Sequence, residues 1–419
     1  MGPIMEVTTL LQESVKEGVG HFYVPRFEVK IEGVGLPRDI LRDVVQLTYK
    51  DNIKEIDSFE LTVNNWDTHT RAFKFIGSEK QEDLKGNSEE SQRFRIFEPC
   101  NKDVEVRMGY LDDLRLMVKG SFTTMEPNFP NSGAPTLNVR GLNVLHQLRR
   151  KQYTYAWDNR KPSEIAENIA TLKDSDAPGG KKNRFPLPIV VSKDAKHTEE
   201  NIVYVTQNNQ YDIDFLLTLA RKYGYVVFVQ EGDPKSDSPA KKKKHLYFGP
   251  SNDKVSDVRN VTFELKWGIS MVDFKPTLTT ANQIRSVTVN GWDRKAKKQI
   301  SEKVELNDKK LTKVNGDLHE LLDKCDPREE HVVDEPVFTK KEARKRAEAI
   351  LLDRQKEMVK ASGTCVGLPD LRAGQLVRIE GVGSRLSGMY FITDTTHTIN
   401  DSGYVTKFNG RREDPGERK

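Results

Sequence analysis

The chain has 419 residues, with Lys+Arg 67 against Asp+Glu 63 and a formal net charge of +4. At roughly 150 residues per domain this length predicts about three domains, and so small an excess of positive charge gives no ground for a polyanion partner. Hydrophobic residues are 36% and charged residues 31%, but the apolar ones fall in periodic blocks, which excludes a disordered chain, and no run reaches the ~20 apolar residues of a membrane helix.

Residues 1–20 read as an N-terminal extension. Met1 to Glu6 has neither the basic lead nor the apolar run of a secretory signal. Leu10, Leu11, Val15 and Val19 sit at helical spacing, which fits a short helix or a tail ordered by a partner. Residues 21–150 read as a first β-domain. Phe27, Val29 and Ile31 alternate with charged residues, as do Phe59, Leu61 and Val63, then Val104, Val106 and Met108, and Leu114, Leu116 and Val118 after a turn at Tyr110 to Asp113. A period of two marks antiparallel strands with one face in a core, arranged as a sandwich or a barrel. Met125 to Pro135 holds three prolines and reads as a loop, and Leu137 to Arg150 as a strand followed by a helix.

Residues 151–275 read as a small α+β domain. Pro162 opens a helix with Ile165, Ile169 and Leu172 on one face. Asp174 to Pro186 is a loop. Asp212 is the expected cap of a second helix, Phe215, Leu216, Leu219, Ala220 and Tyr223 its stripe, and Gly224 its left-handed end. Strands at Tyr225 to Val229 and His245 to Phe248 flank a polar loop that includes Lys241 to Lys244.

Residues 276–300 plus 337–413 read as a second β-domain, interrupted by a charged insertion at 301–336 and followed by a polar tail at 414–419. Its helix spans 340–358, with Thr339 as cap and Ala343, Ala347, Ile350, Leu351 and Met358 buried. Two short sequences occur twice. Thr62-Val63-Asn64-Asn65-Trp66-Asp67 returns as Thr288-Val289-Asn290-Gly291-Trp292-Asp293, and Val29 to Gly35 returns as Val377 to Gly383. Either this is the shared chemistry of strands and turns, or the chain holds two related β-domains flanking the α+β unit. On the second reading Trp292 is buried, and Trp292→Ala is expected to destabilise by ~3–5 kcal/mol.

No catalytic constellation survives inspection, and no cofactor is expected. His319-Glu320-Leu321-Leu322-Asp323 lacks the second histidine of a zinc-peptidase helix. Gly381-Val382-Gly383 follows a strand without opening a helix, so a hairpin turn explains it. Gly179-Gly180-Lys181-Lys182 lacks the spacing of a phosphate loop. Asp334-Glu335 reads as solvated charge, His397 as a packed structural histidine, Lys241 to Lys244 as a solvated loop tip and Cys365 as inert. Cys100, Cys325 and Cys365 are too few and too widely spaced for a disulfide framework or a zinc site, and fit a chain made in a reducing cytoplasm. The chain is therefore not expected to be an enzyme.

One resemblance runs through most of the chain. In the C-terminal third it rests on Asp334-Glu335-Pro336-Val337, the helix bearing Ala343 and Ala347, Gly367 to Gly374, Ser387-Gly388-Met389-Tyr390, His397-Thr398-Ile399 and Gly403-Tyr404-Val405. In the middle it rests on Gln210 to Leu216 and Tyr223-Gly224-Tyr225, and further on Ser286 to Asp293 with Trp292. Trp66 belongs to it through the repeated segment. Over roughly residues 21–413 this resembles the late control protein D family of contractile phage tails, and is similar to the hub half of VgrG proteins and to hubs of extracellular contractile injection systems. The resemblance implies an α+β, mainly β fold with two β-barrel-like domains flanking a small α+β domain. It implies a homotrimeric, pseudo-sixfold baseplate hub joining an inner tube to a spike trimer. VgrG proteins continue into a spike, whereas this chain ends at Lys419, so the spike is expected to be a separate polypeptide. A particle-associated cell-wall hydrolase or peptidase, and a polyanion-binding module at Lys241 to Lys244, are the rival readings.

Overall fold

The computed structural model describes residues 4–6, 24–80, 82–86, 88–99, 102–111, 113–149, 151–174, 183–230, 243–251, 262–294, 296–308, 314–315, 318, 322, 328–334 and 337–413. The helical spacing at Leu10 to Val19, the loop around Gly179 to Lys182, Lys241 and Lys242, the residues His319, Glu320 and Asp323, Glu335, Cys100, Cys325 and the tail 414–419 lie outside these residues.

In chain order, β1 (Ile4–Glu6) precedes β2 (Pro25–Ile31), β3 (Val34–Gly35), β4 (Val44–Asn52) and β5 (Ser58–Asn64). A small hairpin of β6 (Trp66–Asp67) and β7 (Ala72–Phe73) comes before β8 (Val104–Tyr110), β9 (Asp113–Asn128) and β10 (Thr136–Asn143). Alternation is what makes these segments strands. Phe59, Leu61 and Val63 of β5, and Val104, Val106 and Met108 of β8, are buried, and the residues between them face outward. β9 runs on through Met125 to Asn128, where the prolines predict a loop, because its ladder with β10 continues to the pair Thr136–Asn128.

The middle of the chain forms β11 (Tyr153–Arg160), β12 (Ile189–Val191), β13 (Ile202–Gln210), β14 (Val226–Gln230) and β15 (His245–Gly249), with helices Pro162–Thr171 and Asp212–Tyr223. β11 pairs with β13, and β12, β15 and β14 make a three-stranded sheet. Ile165, Ile169, Phe215, Leu216, Leu246 and Phe248 share one core. Asp212 does not cap its helix. Tyr211 holds the cap position, and the Asp212 carboxylate instead meets Arg184 at 2.8 Å, both side chains nearly buried.

The last third forms β16 (Thr262–Lys266), β17 (Met271–Leu278), β18 (Ser286–Asp293), β19 (Lys298–Glu305), β20 (Glu329–Val332), the helix Lys340–Lys356, β21 (Val359–Val366), β22 (Leu376–Glu380), β23 (Gly388–Asn400) and β24 (Gly403–Arg412). Thr339 Oγ1 caps the helix by accepting from Glu342 N at 3.1 Å. Ala343, Ala347 and Leu351 pack on Val287, Val289, Ile300 and Val304. The stretch read as a charged insertion thus supplies β20 and the end of β19, and the strand Ser286–Asp293 belongs to this three-stranded sheet, in the order β19-β18-β20.

The expectation of two β-barrel-like domains is wrong. No sheet among the described residues closes on itself. The two β-rich regions join in one 14-stranded sheet, in the order β1-β16-β22-β23-β4-β5-β10-β9-β8-β2-β3, with a branch from β23 through β24 and β21 to β17. A barrel needs its first and last strands hydrogen-bonded to each other, whereas β1, β3 and β17 each pair with a single neighbouring strand. The joint is β23. One of its edges carries β22 over Gly388 to Phe391 and then β4 over Asp394 to Asn400, and the other carries β24. Period-two alternation is the same in open and closed sheets, so the sequence pattern could not distinguish them.

Candidate functional site

The β4–β23 ladder places Thr395 opposite Asp51 and His397 opposite Tyr49, and cross-strand partners share a face. Beneath that face runs the loop Gly367 to Gln375. His397 is 0% exposed. Its Nε2 lies 3.0 Å from the Leu371 carbonyl and 3.1 Å from Thr395 Oγ1. Its Nδ1 lies 3.0 Å from the Tyr404 hydroxyl and 3.1 Å from Thr406 Oγ1. The carbonyl can only accept, so Nε2 carries the proton and Nδ1 accepts from a hydroxyl; this network assigns a neutral imidazole. Burial, and then the charge of Arg372, hold its pKa well below the usual histidine range.

Arg372 ties the loop to the first β-region. It donates to Leu116 O at 3.0 Å and Met117 O at 3.3 Å in β9, and its guanidinium lies 4.8 Å from the Tyr49 ring centre. Asp51 accepts from Ala373 N at 3.2 Å and from the Thr395 hydroxyl. Tyr110 donates to Gly367 O at 2.9 Å. Gly374 has φ +80, and a Cβ there would sit 2.8 Å from the Phe228 ring, so only glycine lets the loop pass this close to β14. This buckle fastens both β-regions and the middle unit. It is closed and fully engaged, and a closed polar network rigidifies rather than reacts.

A second buried charge cluster lies at the end of the helix Lys340–Lys356. Lys356 is 1% exposed; its Nζ donates to Ser251 Oγ at 2.8 Å and stands 3.7 Å from Glu413. Glu413 accepts from Ser251 Oγ at 2.8 Å and from Arg411 Nε at 2.7 Å. Burial pushes the Lys356 pKa down against the pull of Glu413. Burial alone would raise that of Glu413, but Lys356 and Arg411 outweigh it and leave it low. Near the buckle, Asp57 is pushed up to about 7 by burial and by Asp51, although Asn143 Nδ2 donates to it at 2.7 Å.

The residues singled out in the sequence fall into separate places. Gly374, His397 and Tyr404 meet in the buckle. Gly388 and Gly403, with φ +134 and +118, open β23 and β24. Tyr390 is 0% exposed and donates to Leu386 O at 2.7 Å. Ala343 and Ala347 lie under β18. Phe215 stacks on Trp157 with centroids 5.1 Å apart, Leu216 is buried beside it, and Gly224 ends their helix at φ +68. Trp66 is half-buried and meets Phe73 edge-on at 5.1 Å. Trp292, expected in the core, is 54% exposed. Alternation held the warning: Val287 and Val289 point inward, so an even-numbered residue of β18 points out. Trp292→Ala is accordingly expected to change the unfolding free energy by only about 0.5 kcal/mol, readable in a urea melt. Asp51, Thr395, Lys356 and Glu413 were not singled out, and Arg372 and Thr406 entered only as members of the resembling runs, with no role of their own. Lys243 is exposed and Lys244 half-buried.

Among the described residues no group of three or more His, Cys, Asp or Glu side chains gathers as a metal ion requires, and no helix is long and apolar enough to cross a membrane. Cys365 is buried, and burial raises its thiol pKa, which leaves it protonated.

Compared with solved structures, the architecture is that of phage tail proteins. The 43 kDa tail protein of prophage MuSo2 from Shewanella oneidensis aligns with a TM-score of 0.60 at 14% identity, over 94% of this chain and 100% of that one. The tail protein from Neisseria meningitidis MC58 aligns with a TM-score of 0.58 at 13% identity, over 93% and 97%. The E. coli c3393 protein, a component of the type VI secretion system, aligns at 0.50 and 13% identity, over 93% and 77%. No curated protein matches by sequence. A family model does: the one described as the Alg8 N-terminal domain matches residues 23–401, and the chain belongs to that family.

Proposed function

We propose that this protein is a structural baseplate hub of a contractile injection machine, a phage tail or a phage-tail-like particle. In this reading it is made in the cytoplasm and assembled into the particle as a homotrimer. Its ring has pseudo-sixfold character and joins the inner tube, or a tube-initiator protein, to a separate spike trimer among other baseplate proteins. The observation that carries the reading is the alignment with the 43 kDa prophage tail protein over nearly all of both chains.

The physics of the chain supports it. A closed threefold ring uses one heterologous contact three times, leaving no copy unpaired. The polar groups of the buckle and of the Lys356 cluster are engaged with one another, as suits a rigid connector, and a nucleic-acid ligand gains little from a net charge of +4. Sedimentation equilibrium tests the assembly. Three copies of 47.8 kDa are expected at micromolar concentration, with a threefold ring by electron microscopy. A chain that stays monomeric both alone and mixed with the tube and spike proteins of its particle would overturn the hub.

A further inference from the structure

The turn from β16 to β17 holds large apolar side chains out in water. Trp267 is 57%, Ile269 52% and Val272 71% exposed, three such residues within six consecutive positions. The turn is braced rather than loose. Ser270 is 1% exposed; its Oγ accepts from Lys266 N at 2.9 Å, and its own N–H donates to Lys266 O at 3.1 Å. Gly268 takes φ +79 and donates to Met271 O at 3.3 Å, and Trp267 N donates to Glu380 O at 3.1 Å. A rigid turn gains nothing by itself from keeping an indole and an isoleucine hydrated, and a contiguous apolar patch of this kind marks a contact surface.

The bearing of β1 says what reaches that surface. β16 and β17 are joined by this turn but are not neighbours in the sheet: β16 lies between β22 and β1, and β17 pairs with β21. β1 runs parallel to β16, with Ile4 opposite Thr262 and Glu6 opposite Glu264, so the chain leaves β1 heading toward the turn. Trp267 lies three residues beyond Glu264, and Thr9 three residues beyond Glu6. At ~3.3 Å per residue, a chain that continues along β16 comes level with the indole at Thr9. The next two residues are Leu10 and Leu11. The register of β1 thus delivers two leucines to the one turn that displays a tryptophan and an isoleucine together.

We propose that the tip formed by Trp267, Ile269 and Val272 is the docking surface of the chain's own N-terminal extension, with Leu10 and Leu11 packed against the indole. The inference does not depend on the hub reading, since it rests on the β1 register and the exposed tip. In this arrangement residues 4–11 work as one unit. β1 covers the edge of β16 and the two leucines cover the turn, so neither is left to recruit a strand or an apolar face from another chain.

Hydroxyl-radical footprinting of the full chain tests the contact. Trp292 is the internal reference, because its 54% exposure nearly equals the 57% of Trp267. Trp267 is expected to be oxidised about threefold more slowly than Trp292, since covering an indole removes much of its ~150–250 Å² from solvent, and to stay so as the protein is diluted from micromolar to nanomolar concentration. The double variant Leu10→Asp, Leu11→Asp is expected to raise Trp267 to the rate of Trp292, with the fold retained by circular dichroism. Ile269→Asp, at an exposed position of the turn, probes the same contact from the other side and is expected to free Trp267 likewise. Equal oxidation of the two tryptophans in the wild-type chain, or protection of Trp267 that survives both variants, overturns the proposal. Protection that disappears on dilution also overturns it, because the cover is then a second copy and not the chain's own extension.

Discussion

His397→Ala is expected to lower the unfolding free energy by about 3–5 kcal/mol at pH 7.5, because it strips partners from several fully buried polar groups at once. The Leu371 carbonyl loses a donor at 3.0 Å, and the Tyr404 and Thr406 hydroxyls lose their acceptor at 3.0 and 3.1 Å. No water from bulk reaches them, since His397 is 0%, Thr406 0% and Tyr404 5% exposed. Urea melts of wild type and variant measure the difference, and a loss under about 1 kcal/mol would show that the buckle holds nothing together.

The same variant carries a pH signature. The folded pKa of His397 lies below its unfolded value of about 6.5. The stability it contributes is therefore complete above about pH 6.5 and is lost as pH falls through the folded value. The gap between wild type and His397→Ala should accordingly be widest above pH 6.5 and narrow in acid. Asp57 works in the opposite sense. Its folded pKa of about 7 is above the unfolded one, so its contribution is complete below about pH 4 and is lost as pH rises through 7. Comparing the two chains at each pH cancels the Asp57 term, which both share. A gap that is constant with pH would count against the neutral, buried imidazole.

Lys356→Met is expected to be nearly as damaging, by about 3–5 kcal/mol, because it leaves Glu413 buried with Arg411 as its remaining cation. The double variant Lys356→Met, Glu413→Gln should recover most of that loss, since replacing both charges removes the uncompensated carboxylate. The four melts form a double-mutant cycle. If Lys356→Met alone is neutral, or if the second change brings no recovery, the pair is not a coupled buried ion pair.

Local pattern carried much of the fold. Period-two runs such as Phe59-Leu61-Val63 became strands, and the helix beginning after Thr339 formed with Ala343, Ala347 and Leu351 buried, although it ends at Lys356, before the buried Met358, and leaves Ile350 only partly buried. What local pattern does not encode is which strand lies beside which. The β4–β23 ladder pairs residues hundreds of positions apart, and no nearby residue signals that register. For the same reason the two β-regions read as separate modules, when one strand belongs to both. The buckle was legible only in part. His397 reads as a packed histidine because it alternates within a strand, whereas nothing near Asp51 or Arg372 in sequence signals that the fold brings them together. Lys356 gives no sign of burial, since a lysine in the last turn of a charged helix normally faces water. Trp66 and Trp292 share nearly identical neighbours and end in different surroundings, one beside Phe73 and one in solvent.

The hydrogen bond from Thr395 to Asp51 spans 344 residues of sequence. A ribosome adding ~5–20 residues per second needs on the order of tens of seconds to travel between those two codons. Throughout that interval the nascent N-terminal sheet has β4 without its outer neighbour, an exposed edge of the kind that recruits strands from other chains. Productive synthesis of this protein therefore depends on keeping sibling polypeptides apart until the C-terminal strand emerges, and dense polysomes or high expression temperature should favour insoluble product over the folded form.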